Sequence, residues 1–126
     1  MAANFWSSTH FRHWLQASDK HLAEAARMRA KDREIFSEDQ LNRIRVCYAQ
    51  LISSLAKKSN LRQRVAATAI VYFKRFYLRN TYKEHDPRLI APSALYLAAK
   101  TEEHTIPAKA ILSQVNAQLV FAQVLS

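Results

Sequence analysis

Glycine is absent from all 126 residues of the sequence. Phosphate-binding loops and tight hairpins depend on glycine for backbone conformations with positive φ. The sequence therefore contains neither a Walker A loop nor a dinucleotide-binding fingerprint. The strict alternation of polar and apolar residues that marks a half-buried strand is missing as well. These absences predict an all-α protein.

Cysteine and long apolar runs are also scarce. Cys47 is the only cysteine, so the chain cannot form an internal disulfide, which fits a reducing compartment. No uncharged apolar run reaches the ~20 residues that span a bilayer, and the N-terminus lacks the pattern of a secretory signal. We therefore expect one domain at most, soluble and located in the cytosol or the nucleus.

Acidic residues are outnumbered by basic ones. The sequence has 19 lysines and arginines and 10 aspartates and glutamates, which gives a formal charge of +9. Such an excess indicates either an acidic partner or a charge that keeps the protein in solution. The basic residues are spread along the chain, so both interpretations stay open at this point.

A helix is expected to begin at Ser37, because Ser37 and Gln40 form a capping-box pattern. Apolar side chains then recur at steps of three and four residues up to about Lys57, as in an amphipathic helix. These side chains are Leu41, Ile44, Tyr48, Leu51, Ile52 and Leu55.

The next helix is expected after a cap at Asn60, and its residues 65–73 are apolar on nearly every side, which predicts burial on several sides. Asp86 and Pro87 mark another helix start. Pro92 must kink that helix or be its true start.

A last helix is predicted to open at residues 105–107. Its expected buried side chains are Ile111, Leu112, Val115, Leu119 and Val120. At the other end of the chain, residues 1–17 are a candidate short helix that Ser7 or Ser8 caps, with Phe11, Trp14 and Leu15 on one face. Residues 19–33 predict either a solvated helix or a mobile linker.

The segment from Leu61 to Glu103, LRQRVAATAIVYFKRFYLRNTYKEHDPRLIAPSALYLAAKTEE, resembles the centre of a cyclin box. Within it, YFKRFY followed by Asp-Pro-Arg resembles the transcriptional branch of the cyclin family. The opening NFWSSTH with Trp14 resembles the C-type cyclins. Two departures from the cell-cycle cyclins agree with the transcriptional branch. Lys74 stands where those proteins have an aspartate, and the first box helix lacks their substrate-docking pattern.

The resemblance implies a fold of five helices per cyclin box, with two boxes in most complete cyclins. About four capped helices are expected from Ser37 onwards. We therefore expect an incomplete N-terminal cyclin box at residues 35–126, apparently truncated within the first box. Residues 1–34 would form an N-terminal helical extension.

The resemblance also implies a surface that binds a kinase. The lysine that ends the third box helix of cyclins matches Lys100, where it would donate charge-assisted hydrogen bonds beside the kinase's regulatory helix. Three neighbours share its helical face by their spacing. The expected kinase-contact set is Leu97, Lys100, Thr101, Glu103 and His104. The glutamate that partners this lysine in the family, on the fifth helix, has no counterpart in the sequence.

A second docking segment is expected near the N-terminus, at Phe5, Trp6 and Trp14. Three large aromatic side chains are a considerable apolar area to leave in water, so we expect them to pack against the box or the kinase.

Other constellations carry little chemistry. His10 and His13 lack the close cysteine or histidine partners of a closed metal site, so no metal is expected. Glu102 and Glu103 are adjacent on a helix and diverge, so they cannot act on one substrate. No nucleophile, base and oxyanion donor come together, and neither catalytic residues nor a cofactor are predicted. The aromatic residues 72–77 are expected to pack in the core, although base stacking is the competing interpretation.

The function implied by the resemblance is that of a regulatory, activating subunit of the cyclin-dependent kinase in the Mediator kinase module. This subunit would act in the nucleus on transcription by RNA polymerase II. As a truncated form, the chain is expected to bind or activate poorly. The alternative is a small basic helical domain that binds nucleic acid, as cyclin-like general transcription factors do.

Overall fold

The computed structural model describes residues 3–15, 19–104 and 106–125, with side chains for residues 3–15, 20–104 and 106–116. Within these residues, five α-helices follow one another: α1 (Asp19–Arg33), α2 (Glu38–Lys58), α3 (Gln63–Arg79), α4 (Pro87–Thr101) and α5 (Ala108–Leu125). A 3-10 turn at Phe5–Ser7 and a π-helical segment at His10–Trp14 precede them. The described part of the chain contains no strand, and the prediction of an all-α protein is confirmed.

Helix α3 lies at the centre and packs against α1, α2 and α4. Its buried side chains run along the whole helix: Val65, Ala66, Ala69, Phe73 and Tyr77. The buried residues of α4 are mainly small, namely Ala91, Ala94, Ala98 and Ala99, together with Pro92 and Leu95. Alanine lets two helix backbones approach closely. In agreement with this, α3 and α4 make the most extensive helix contact among the described residues.

Helix α2 begins where the sequence predicts. The Gln40 backbone N–H donates to Ser37 Oγ over 3.2 Å, and the Ser37 N–H donates to Gln40 Oε1 over 2.9 Å. This capping box satisfies two amides that would otherwise lack a partner. Leu41, Ile52 and Leu55 of the predicted stripe are buried, and the remaining members pack against this core.

The ends of α2 and α4 have the same geometry. Asn60 and Glu103 adopt left-handed backbone conformations, with φ of 56° and 57°. The residue after each of them, Leu61 or His104, donates its backbone N–H to Ala56 O or Ala99 O over 2.8 Å. This is a Schellman motif, in which the position that most often holds glycine is occupied here by other residues. The prediction that Asn60 caps the next helix is wrong, because Arg62 precedes α3 and Asn60 ends α2.

Helix α4 starts at Pro87, and the Asp86 carboxylate accepts from the Arg88 backbone N–H over 2.9 Å. Hydrogen bonds from the Arg88 side chain lower the pKa of Asp86 below its ordinary value, with help from the backbone bond. Pro92 lies buried inside the helix, so it is not the helix start.

Residues 19–33 form helix α1, which resolves the choice between a helix and a linker. Asp32 near its end is only 3% exposed, and its carboxylate accepts from the Tyr82 backbone N–H over 2.9 Å. Burial raises the pKa of Asp32 above the ordinary 3.8, although hydrogen bonds from the Tyr82 and Lys83 amides oppose this rise. Asp32 thus fastens α1 to the loop between α3 and α4. The division of the chain at residues 34 and 35 stays a prediction.

Helix α5 contacts α2 and α4 through one face. Ile111 is buried and Val115 packs against the core, as predicted. Leu112 was expected to be buried, but it is 56% exposed because it lies on the outer side of this helix. Thr105, at the predicted opening of the helix, lies outside the described residues, and so do the side chains of Leu119 and Val120.

Candidate partner-binding surface

The predicted kinase-contact residues lie together at the C-terminal end of α4. Leu97 is 53% exposed although it is a large apolar residue. Lys100 is exposed, and its Nζ lies 4.7 Å from the centroid of the Tyr96 ring. Thr101 Oγ1 donates to Leu97 O over 2.9 Å. The side chains of this face therefore lie outside the core and offer apolar contact beside a positive charge.

The Schellman motif shapes the rest of this surface. Because Glu103 has a left-handed backbone, the chain turns sharply after α4, and the His104 N–H closes back onto Ala99 O. Glu103 is exposed and His104 is half-buried. Leu97, Lys100, Thr101, Glu103 and His104 are thus brought to one helix end, and this set is referred to below as the α4-end surface. Whether a kinase binds it stays a prediction.

Glu102 has a structural part that its position in the sequence does not reveal. Its carboxylate accepts from Thr68 Oγ1 over 3.0 Å and lies 3.3 Å from Arg64 Nε. Both partners belong to the first two turns of α3, 34 residues away for Thr68. Glu102 therefore braces the α4-end surface against the central helix. Both glutamates follow the end of α4, so the prediction that they are adjacent on a helix is wrong; Glu102 contacts α3, and Glu103 is exposed.

The N-terminal docking residues fall into two groups. Trp14 lies against the last turns of α3, with its ring 5.0 Å from the Arg75 guanidinium carbon and 4.2 Å from that of Arg79. Arg79 Nη2 also donates to His13 O over 2.9 Å. Cation–π contacts of this kind contribute roughly 0.5–1 kcal/mol each at exposed sites. Trp14 is thus docked within the chain itself.

Phe5 and Trp6 instead project outwards, at 47% and 71% exposure. They pack edge to face against each other and against Phe11, with ring centroids 5.2 to 5.6 Å apart. This exposed aromatic cluster is the remaining candidate for contact with a partner.

The N-terminal segment is not the single short helix that the sequence predicts. The Leu15 N–H donates to His10 O over 3.0 Å, which is the wide spacing of a π-helix. Ser8 does act as a cap, because its Oγ accepts from the Phe11 N–H over 3.2 Å. Contacts of Trp14 and His13 with α3 fix this segment, and the periodicity of a short segment cannot anticipate such contacts.

His10, one of the two histidines weighed as metal ligands, lies beside a cationic side chain. His10 Nδ1 lies 2.9 Å from Arg75 Nη2, and a guanidinium can only donate, so this nitrogen is the acceptor of the contact. A cation is unfavourable beside that guanidinium. Among the described residues, no three histidine, cysteine, aspartate or glutamate side chains are grouped to hold a metal ion.

Phe73 and Tyr77 of α3 are core residues, and Tyr72 and Phe76 pack against that core, which contradicts the base-stacking interpretation. Phe73 is 2% exposed and stacks on Tyr48 at 5.7 Å between centroids. Tyr77 stacks on Tyr82 at 3.9 Å, and its hydroxyl donates to His85 O over 2.8 Å. Burial raises the pKa of Tyr77 strongly, so its hydroxyl stays protonated.

In the part of the chain that is described, no helix is long and apolar enough to cross a bilayer.

Comparison with known proteins defines the class of this helical domain. The N-terminal domain of cyclins matches residues 14–122, which is most of the chain. This match, together with the relatives described next, shows that the chain belongs to the cyclin family. Members of that family are regulatory rather than catalytic subunits.

Within the family, several relatives similar to this chain are Cyclin-C proteins. Cyclin-C of Caenorhabditis elegans is 43% identical over 114 residues, covering 83% of this chain and 36% of that protein. Cyclin-C of Drosophila melanogaster is 43% identical over 103 residues, covering 82% and 37%. Cyclin-C1-1 of Oryza sativa subsp. japonica is 40% identical over 116 residues, covering 92% and 44%. The resemblance to C-type cyclins is confirmed, and the chain spans 36 to 44% of the length of these relatives.

Proposed function

We propose that the chain is part of a regulatory subunit that binds and activates the cyclin-dependent kinase of the Mediator kinase module. In this role it acts in the nucleus on transcription by RNA polymerase II. The similarity to Cyclin-C proteins over 82 to 92% of the chain supports the proposal. The α4-end surface is the observation that carries it, since exposed Leu97 and Lys100 flank a helix end fixed by Glu102.

The proposed mechanism is positional. Lys100 donates charge-assisted hydrogen bonds to main-chain carbonyls beside the kinase's regulatory helix, and Leu97 covers apolar surface there. Holding that helix inward completes the lysine–glutamate pair of the kinase that positions ATP. Because Glu102 holds the end of α4 against α3, the surface is already arranged before the kinase binds, which lowers the entropic cost of binding.

Replacing Lys100 by alanine tests this proposal. A hydrogen bond to a charged group contributes ~1.5–3 kcal/mol, so we expect binding of the kinase to weaken by roughly 10- to 150-fold. Lys57→Ala is the matched control, because Lys57 is also an exposed lysine in the last turn of a helix. Binding is measured by calorimetry with the purified kinase, and thermal unfolding shows that both variants remain folded.

Two results would count against the proposal. Equal weakening by Lys100→Ala and Lys57→Ala would mean that general charge, not the α4-end surface, attracts the kinase. Binding of duplex DNA that falls steeply with salt, with no binding of the kinase, would favour the nucleic-acid alternative.

Activation by these residues alone is expected to be weak. The resemblance implies a second, acidic contact on a fifth box helix, and the 126 residues contain no counterpart of it. A kinase assay that compares residues 1–126 with a chain extended through such a helix tests this. Full activation by residues 1–126 would show that the second contact is dispensable.

A further inference from the structure

A cavity of about 250 Å³ lies between α1, α2 and α3, beside the loop that follows α3. Each of these helices contributes one cationic residue to its lining: Arg29 from α1, Arg45 from α2 and Lys74 from α3. Apolar parts of α3 line it as well, including Ile70 and the buried Phe73. The cavity shares no residue with the α4-end surface.

The positive charge of this cavity is not balanced by its own residues. Among the described residues that line it, Asp32 is the only acidic one, and that carboxylate already accepts from the Tyr82 backbone N–H. Three cations and one carboxylate leave a formal charge of +2. Among the described residues, none of the three cations lies within 4.0 Å of a carboxylate in an ion pair. Arg45 is half-buried, so water screens its charge only in part.

The hydrogen-bond donors of the cavity are also arranged for an anion. Arg45 Nη1 donates to Asn42 Oδ1 over 3.1 Å, which fixes one side of the guanidinium and leaves its other N–H groups available. Tyr82 lines the cavity as well, and its hydroxyl is a further possible donor to a ligand. Burial raises the pKa of Tyr82, although the nearby Arg45 charge opposes this rise, so the hydroxyl keeps its proton.

We propose that this cavity binds a phosphomonoester carried by a partner protein, as phosphoserine or phosphothreonine. Such a group carries a charge of about −1.5 to −2, which matches the excess of +2, whereas a carboxylate would neutralise only half of it. Two guanidinium groups supply the paired donors that phosphate oxygens accept, and Lys74 adds a point charge. The apolar lining accommodates the carbon atoms that attach the phosphate to a peptide. A nucleic-acid backbone would instead need a basic stripe along the surface.

The experiment follows the amide resonances of the cavity residues by NMR while the 126-residue chain is titrated at constant ionic strength. The probes are N-acetyl-O-phosphothreonine N-methylamide, its unphosphorylated analogue, inorganic phosphate and hexadeoxythymidylate. We expect saturable shifts at Arg45, Lys74 and Tyr82 with the phosphorylated amino acid, none with its unphosphorylated analogue, and weaker binding of the other two probes.

Three variants decide whether the cavity is responsible. Arg45→Gln and Lys74→Gln each remove one proposed charge-assisted contact, and we expect each to weaken binding about tenfold. Arg43→Gln is the matched control, because it makes the same charge change at an exposed position of α2 that does not line the cavity. Lys74 is exposed, so its variant keeps the proposal testable if Arg45→Gln disturbs the fold.

Several outcomes would overturn the proposal. Absence of saturable shifts would show that there is no site, and equal weakening by Arg43→Gln would reduce it to general charge attraction. Equal or tighter binding of inorganic phosphate would assign the cavity to the free ion. Tighter binding of hexadeoxythymidylate at the same residues would assign it to nucleic acid.

Discussion

Asp32 offers the sharpest test of how the first helix is attached to the rest of the fold. Its carboxylate accepts a hydrogen bond from the backbone N–H of Tyr82, which lies 50 residues further along the chain. Replacing Asp32 by alanine leaves that buried amide without an acceptor, which costs about 1–3 kcal/mol. The variant also removes a charge that is poorly solvated in the folded protein, which offsets part of this cost. We therefore expect Asp32→Ala to lower the free energy of unfolding by about 2 kcal/mol at neutral pH.

Asp32→Asn separates the hydrogen bond from the charge. The carboxamide oxygen can still accept from the Tyr82 N–H, so we expect a loss of only ~1 kcal/mol at neutral pH. The assay for both variants is urea unfolding followed by far-UV circular dichroism, which yields free energies from the midpoint and slope.

The pH dependence of this difference has a definite sign. Burial raises the pKa of Asp32 in the folded protein above the ordinary 3.8, so the folded state binds the proton more tightly than the unfolded chain. The stability that this group contributes is fully present below pH 3.8 and is lost as the pH rises through the raised value. The gap between wild type and Asp32→Asn should therefore widen as the pH falls from 7 towards 4.

Other carboxylates also titrate over this range, but wild type and variant share them, so their effects cancel in the difference. A gap that stays constant or narrows on acidification would refute the assignment of Asp32 as a buried carboxylate. An Asp32→Ala variant as stable as wild type would show that its bond to the Tyr82 amide adds nothing to stability.

Three further predictions concern the core and the N-terminal segment. Phe73→Ala should lower the free energy of unfolding by ~3–5 kcal/mol, because Phe73 is almost fully buried in the central helix. Tyr77→Phe should cost ~1 kcal/mol through the hydroxyl bond to His85 O. Trp14→Ala should remove the blue-shifted part of the tryptophan emission, because the remaining Trp6 is 71% exposed.

Each of these has its own control. Val71→Ala shortens an exposed apolar residue of the same helix as Phe73, so it should change stability far less. Tyr72→Phe removes a hydroxyl from α3 outside the buried core, and a loss as large as that of Tyr77→Phe would contradict the argument. Trp6→Phe should leave a blue-shifted spectrum, and a fully solvated spectrum there would mean that Trp14 is not docked on α3.

The helices were largely predictable because their signals are local. Ser37 with Gln40, and Asp86 with Pro87, mark helix starts through side chains only one to three residues apart. The spacing of apolar residues in α2 likewise identified the side that the structure buries. Such features depend on neighbours along the chain, so they can be recognised without knowledge of the tertiary fold.

The contacts that brace the fold were not predictable on the same basis. Asp32 with Tyr82, Glu102 with Thr68, and Trp14 with Arg79 each join residues 34 or more positions apart. No periodicity links such residues, since they meet only after the helices have packed. The candidate kinase surface came from family resemblance for the same reason, while the Glu102 brace beneath it became visible only in three dimensions.

The two left-handed helix ends have a consequence for mutational tolerance. Asn60 and Glu103 are both exposed, and exposure alone would mark them as freely replaceable. Because φ is positive at both positions, we expect substitutions there to be tolerated differently: glycine and asparagine are accepted, and β-branched residues are rejected. In a saturation library, Asn60 should show this ranking in a selection for folding alone. Glu103 should show the same ranking in a selection for folding. In a selection for kinase binding, glycine should no longer be tolerated there if the Glu103 side chain belongs to the interface.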